Sequence, residues 1–194
     1  LKMVIAVGVV MGLHAAYEIF VGGTEISWSV IWTYLPISLL YISSMALGYL
    51  GLRYIELSVS SPICNSSGAL VAVLTLLFVG GEDYSPLALL AIALVCTGAI
   101  GLGVVDATED PELRLERQKA SNYKYAKSFL ALALPAAYCL LDAAGTFADN
   151  RVLETLNEDS ANVAYELTFL LAAVVCFVYV VLIKRDRLVP KMEA

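Results

Sequence analysis

The chain has 194 residues, of which 60% are hydrophobic and only 15% are charged. Soluble domains are nearer ~45–50% apolar and ~25% charged, so this composition excludes an ordinary soluble domain and indicates a membrane protein. The net charge of −6 argues against nucleic acid as a partner.

Six stretches are long and apolar enough to be transmembrane helices, which need about 20 residues to cross a hydrocarbon core of about 30 Å. These six segments cover residues 3–21, 31–52, 57–79, 86–105, 128–148 and 163–183. Aromatic residues at the start of the second segment (Trp28, Trp32 and Tyr34) are typical of a membrane interface. Ser85 and Pro86 are typical of a helix start and support the start of the fourth segment. The sequence therefore predicts an all-α fold, a polytopic membrane helix bundle with about six spans.

The lysines and arginines lie almost entirely on one side of this predicted bundle. Counted loop by loop, eleven fall on the side of Lys2 and one, Arg151, on the other. By the positive-inside rule, the start of the first helix, the charged linker 106–127 and the basic tail are expected to be cytoplasmic. The predicted organisation is four helices in 1–105, the linker 106–127, and two helices with the tail in 128–194. A multi-pass protein of the cell membrane is expected.

Ionisable side chains inside the predicted segments are His14, Glu18, Asp142 and Glu166. Charge at membrane depth costs at least ~2.5–3.5 kcal/mol, so each of them is a candidate functional group. His14 and Glu18 lie four residues apart on one helix face and can share a proton or an ion pair. A structural hydrogen bond between helices is the favoured role for His14.

Asp142 is predicted to be the only well-buried acid. Tyr138 and Thr146 lie one helical turn to either side of it. Contact with a cation, a proton or a substrate amine is expected there, and a satisfied hydrogen bond between helices is the alternative. Glu166 is predicted to lie close enough to a helix end to reach headgroup water. For Glu18, the same position near headgroup water and a functional role are equally favoured.

The third segment carries a polar stripe at membrane depth, formed by Ser58, Ser61, Asn65 and Gly68 with Pro62 beside it. Such a stripe must face other helices or a wet cavity, because lipid offers its polar groups no partner. Pro62 removes a backbone hydrogen bond and is expected to bend the helix.

Tyr41, Ser44 and Gly48 share a face of the second segment. This face is predicted to lie opposite the polar stripe of the third segment and to form the other wall of a passage between them. Two further sets of glycines are expected to let helices approach closely: Gly8 and Gly12, and Gly98, Gly101 and Gly103.

No enzyme signature is present in the sequence. It has one histidine and no Cys/His metal spacing, phosphate-binding loop or nucleophile elbow, so no catalytic residue, cofactor or metal is expected. The four cysteines fall inside apolar segments and are interpreted as small buried hydrophobes.

The run from Tyr41 to Pro62 resembles the EamA-type permeases of the drug/metabolite transporter (DMT) superfamily. Gly80-Gly81-Glu82, the glycine-rich stretch 96–103 and the stretch 130–138 are similar to them as well. The resemblance implies a DMT-type inverted-repeat fold of ten helices in two halves of five. Since this chain supplies six helices and begins with Leu1, it is expected to be part of a longer protein.

The resemblance implies alternating-access transport, with export favoured, of a small organic solute such as an amino acid, another metabolite or a drug. The predicted solute contacts are Tyr41, Ser44, Ser61, Asn65, Tyr138 and Asp142, and the predicted coupling residues are Asp142, His14 and Glu18. The expected partners are the solute, the lipid bilayer, and a second copy or a partner half. The alternative is a non-transporting membrane scaffold or assembly subunit derived from a permease half.

Overall fold

The computed structural model describes residues 1–52, 54, 57–79, 85–108, 110, 112, 113, 116 and 129–185. No residue in these ranges lies in a β-strand. The helices are α1 (Lys2–Tyr17), α2 (Trp28–Gly51), α3 (Leu57–Asn65), α4 (Ser67–Phe78), α5 (Pro86–Thr108), α6 (Phe129–Val152) and α7 (Glu158–Val178). Short π-helical turns extend α1 over Glu18–Gly22 and α7 over Tyr179–Ile183.

The all-helical prediction is confirmed for the described part of the chain. Four stretches there are long and apolar enough to cross a membrane: Lys2–Gly22, Trp28–Gly51, Ser60–Phe78 and Glu158–Ile183. Pro86–Leu102 is apolar but shorter. The structure is therefore compatible with a membrane-embedded helical protein, and the predicted total of six spans stays a prediction.

Helix ends follow from local hydrogen bonding. The π-helical turn after α1 ends at Gly23, whose φ of 74° lies in the left-handed region that favours glycine. At the start of α5, the Ala88 N–H donates to Ser85 Oγ at 3.2 Å, which confirms the predicted serine cap before Pro86. At the start of α7, the Ser160 N–H donates to Asn157 Oδ1 at 3.2 Å. This cap starts α7 at Glu158, whereas the predicted segment begins at residue 163.

The third predicted segment is interrupted between α3 and α4. Pro62 lies inside α3, and the break falls four residues later, at Ser66. There the Ser66 N–H and Oγ both donate to the Ile63 carbonyl oxygen, at 3.2 and 2.7 Å. A serine hydroxyl thus satisfies a carbonyl at the break, as it must where water is scarce.

The chain divides into two compact units. The first unit comprises Leu1–Ile42 together with the described residues from Ala148 onward, and the second comprises Ser43–Phe147. This division into compact units does not test the predicted boundary between repeats in the linker 106–127, which stays a prediction.

In the first unit α1 and α7 pack side by side and antiparallel. A Cβ added at Gly8 would overlap Ala173 and lie 2.7 Å from the Phe169 carbonyl oxygen, and one at Gly12 would lie 2.8 Å from Leu170. The predicted role of Gly8 and Gly12 in close helix approach is therefore confirmed. Phe169 is fully buried at this seam.

The core of the first unit also joins α2 to α7. Tyr34 and Ile37 of α2 are buried against Ala161 and Ala164 of α7.

In the second unit α2 and α6 approach closely. A Cβ added at Gly48 would lie 2.8 Å from the Tyr138 ring, so glycine is required for this contact. By contrast, no atom of the described residues lies within 4 Å of a Cβ added at Gly98 or Gly101 of α5, so the close approach predicted at these two glycines is wrong for this part of the chain.

Some predictions lie outside the described residues. They concern the turn 80–84, most of the linker 106–127 and the basic tail after residue 185. The side chains of Ser58 and Gly103 also fall outside the description.

Candidate functional site

Asp142 lies in the interior of α6 in the second unit, where it is half-buried. Asp142 lies near enough for its charge to act on Tyr138 and Cys139 of its own helix and on Cys64 of α3. Cys139 Sγ is in turn 3.3 Å from Ser66 Oγ. The structure thus places Tyr138 and Asp142 together beside α3, in a cluster of carboxylate, phenol, thiol and hydroxyl groups.

The polar stripe of α3 is present but is not the buried side of that helix. The Asn65 Nδ2–H donates to Ser61 Oγ at 3.1 Å, which confirms that the two side chains share a face. Asn65 is exposed, whereas Ser60, Ile63 and Ser66 are buried. In the second unit, α3 therefore packs against protein through the side that carries Ser60 and Ser66, and the Asn65 side chain is exposed.

The polar residues of α2 that were predicted to line a passage are divided between the two units. Tyr41 belongs to the first unit, where its Oη lies 3.5 Å from Asp149 Oδ2 and its ring stands edge-on to Tyr165 at 5.7 Å. Ser44 belongs to the second unit and is buried.

Asp149 near the end of α6 is a functional candidate that the sequence prediction missed. Tyr34 Oη donates to its Oδ1 at 2.6 Å, a short charge-assisted hydrogen bond, and Tyr41 approaches its other oxygen. The predicted segment ends at residue 148, whereas α6 continues to Val152. Placing the end four residues too early left Asp149 among the loop residues.

His14, Glu18 and Glu166 meet in the first unit. His14 Nδ1 is 2.8 Å from Glu166 Oε1 on α7, and its Nε2 is 3.8 Å from Glu18 Oε1 one turn along α1. This confirms the hydrogen bond between helices predicted for His14. His14 and Glu18 lie near each other, and a shared proton or an ion pair between them stays a prediction.

The predicted position of Glu166 near a helix end is wrong. Because α7 begins at Glu158, Glu166 lies eight residues inside the helix, about 12 Å from its start at 1.5 Å per residue. Its side chain is only 13% exposed. Its Oε2 is buried and has no hydrogen-bond partner among the described residues. The Asn157 cap with Glu158 and Asp159 in the first turn is the sequence signal that would have placed this helix start correctly.

Carboxylates, an imidazole, phenols and thiols of this kind can exchange protons and form hydrogen bonds. Within the described residues, no group of three His, Cys, Asp or Glu side chains is arranged to hold a metal ion. The cysteines described there are free.

Four helical stretches of membrane-spanning length, one of which carries Glu166 in its interior, are compatible with a membrane-embedded helical protein. Comparisons with protein-family models, with curated proteins and with solved structures found no match to this chain. The resemblance to EamA-type permeases therefore stays a prediction.

Proposed function

We propose that this protein is a transporter that carries a small organic solute across a membrane by alternating access, and that export is the favoured direction. Amino acids, other metabolites and amphipathic drugs are the proposed solutes. Neither catalysis nor a cofactor has a part in this proposal.

The observation that carries the proposal is the setting of Asp142. A carboxylate in the interior of a helix that is otherwise rich in apolar residues is costly and is retained where it contacts a solute, a proton or another ion. Asp142 is half-buried and has Tyr138 and the α3 residue Cys64 within electrostatic range. An acid beside an aromatic ring suits a solute that carries an amine, because the ring face also attracts cations.

The open polar face of α3 supports the same function. Ser61 and Asn65 hydrogen-bond to each other, and Asn65 is exposed. A pair of this kind at membrane depth needs further polar partners, and a hydrated solute path would supply them. Tyr41 and Ser44 are proposed as further solute contacts, and His14 and Glu18 as coupling residues together with Asp142.

The proposal includes the cell membrane as location and an EamA-type, DMT-superfamily architecture. The start of α1, the linker and the tail are placed in the cytoplasm on the distribution of lysine and arginine. A second copy or a partner half would complete the transport path.

Transport is tested with purified protein in liposomes and a panel of labelled amino acids, other metabolites and cationic drugs. For a solute that is taken up, Asp142→Asn should lower uptake at least about tenfold, equivalent to about 1.4 kcal/mol of lost interaction. Asp159→Asn, at the exposed start of α7, is the matched control and should behave as the wild type.

If Asp142→Asn transports as well as the wild type, Asp142 is not part of the path. If no solute enters above the level of protein-free liposomes, the scaffold alternative is favoured. That alternative predicts polar stripes packed against one another, whereas Asn65 is exposed.

A further inference from the structure

The imidazole of His14 stands between two carboxylates that differ in burial. Its Nδ1 is 2.8 Å from Glu166 Oε1, within hydrogen-bond distance, and its Nε2 is 3.8 Å from Glu18 Oε1. The Glu166 side chain is 13% exposed, whereas that of Glu18 is 33% exposed and that of His14 is 59% exposed. His14, the most exposed of the three groups, thus lies between a largely buried acid and a more exposed one.

Glu166, the least exposed of the three groups, has one carboxylate oxygen without a hydrogen-bond partner in the described part of the chain. Glu166 Oε2 has almost no solvent-accessible surface, and no hydrogen-bond donor among the described residues reaches it. Burying an unpaired charge costs far more than burying a neutral acid. A proton on Glu166 removes that charge without needing space.

The charge balance of the cluster also favours a bound proton. Two carboxylates face one imidazole, so even a protonated His14 leaves one negative charge uncompensated. In the described residues, the titratable groups that the structure brings to His14 are Glu18 from α1 and Glu166 from α7. A proton on one of the two carboxylates reduces this excess of negative charge.

We propose that Glu166, His14 and Glu18 form a proton relay in which the resting proton is held on Glu166. In the resting state the Glu166 O–H donates to Nδ1 of a neutral His14, whose Nε2–H points toward the Glu18 carboxylate. Transfer moves the Glu166 proton to Nδ1 while the Nε2 proton passes to Glu18, a step that requires the Glu18 carboxylate to move from 3.8 Å to hydrogen-bond distance of Nε2. Glu166 is then ionised, His14 is neutral with its proton on Nδ1, Glu18 is protonated, and the total charge is unchanged. Histidine is suited to this step because each ring nitrogen can accept or release a proton.

The relay extends the proposed function, since it would supply the coupling proton for transport. It also adds Glu166 as the buried proton carrier. Proton binding requires no solute, so it is tested separately from transport.

Infrared spectroscopy of the reconstituted protein at neutral pH tests where the proton rests. Exposed carboxylates are ionised at that pH, so a protonated acid gives a distinct C=O band that shifts in D₂O. The band should be present in the wild type, absent in Glu166→Gln and unchanged in Glu158→Gln, an exposed control on the same helix. Absence of the band from the wild type, or its persistence in Glu166→Gln, overturns the proposal.

The histidine tautomer provides a second test, since His14 is the single histidine of the chain. Protein labelled with ¹⁵N-histidine should give one pair of ring signals, with Nδ1 unprotonated and Nε2 protonated. A doubly protonated ring, or a ring with its proton on Nδ1, contradicts the proposed resting state.

The relay itself is tested by the rate at which the Glu166 band shifts after transfer to D₂O. Glu18→Gln should retain the band and slow its shift by about a hundredfold, the lower end of what a positioned acid or base contributes. An unchanged exchange rate would show that Glu18 is not the exit for the proton.

Transport measurements separate this inference from the proposed function. For a transported solute, Glu166→Gln should abolish uptake driven by a pH gradient and retain downhill exchange. If the wild type transports no solute, the proposed function fails, while the infrared and NMR results still decide the relay.

Discussion

Asp149 shows how a single acid can be retained in an apolar helix bundle. Tyr34 donates a hydrogen bond of 2.6 Å to one of its oxygens, and Tyr41 lies 3.5 Å from the other. Around them the first unit packs apolar side chains, among them Ala148 and Val152 on either side of Asp149. The tyrosine hydroxyls replace the water that the carboxylate would have at a surface, so this contact joins α2 to the end of α6.

Tyr34→Phe should lower the free energy of unfolding by about 1–3 kcal/mol, because it removes a hydrogen bond to a charged and partly buried group. Tyr17→Phe, which alters an exposed tyrosine of α1, is the matched control and should change stability little. Both are measured by denaturant unfolding in detergent micelles. Equal stability of the two variants would show that the Tyr34–Asp149 contact contributes nothing.

At the scale of helices, glycine decides which pairs can pack closely. Lipid is as apolar as leucine, so helices in a membrane associate through close packing rather than through a hydrophobic driving force. Gly8 and Gly12 lie one turn apart on α1 and admit Phe169, Leu170 and Ala173 of α7. The seam sets the register that brings His14 to Glu166.

Gly8→Ala should destabilise the protein by about 1–3 kcal/mol, because the new methyl group meets Ala173 and the Phe169 backbone and forces α1 and α7 apart. Gly98→Ala is the same chemical change at an open position of α5 and should be neutral or stabilising by up to about 1 kcal/mol, since alanine is the better helix former. Denaturant titration of both variants measures the difference. A similar loss at both positions would mean that the seam is not tightly packed.

At the scale of the whole molecule, the distribution of charge predicts the orientation. Arg151 is alone on one side of the predicted bundle, and eleven other basic residues lie on the opposite side. Positive residues are retained in the cytoplasm during insertion, so the turn before α7 is expected outside and the end of α7 inside.

Cysteine labelling in intact cells tests this orientation in a variant whose four native cysteines are replaced by alanine. Thr155→Cys, in the exposed turn before α7, should react with a membrane-impermeant thiol reagent. Lys184→Cys, after α7, should react only once the membrane is permeabilised. Labelling of both sites from outside would mean that α7 does not cross the membrane, and the reverse pattern would invert the predicted orientation.

The sequence by itself determined the class of fold and the approximate position of each helix. Long apolar runs have one low-energy form where water is absent, because a helix satisfies its own backbone hydrogen bonds. Pairs on one helix were equally predictable, as His14 with Glu18 and Ser61 with Asn65 show, since helical geometry fixes the separation of residues four apart.

Only the tertiary structure decided which acids are buried and what they contact. Glu166 and Asp149 were misplaced because polar caps and acids extend α7 and α6 beyond their apolar runs, to Glu158 and Val152. The meeting of His14 with Glu166, 152 residues away, depends on how α1 and α7 pack. The hydropathy of the sequence does not predict the register in which α1 packs along α7. It is set by the close approach of Gly8 and Gly12 to α7, which places the imidazole against a buried carboxylate.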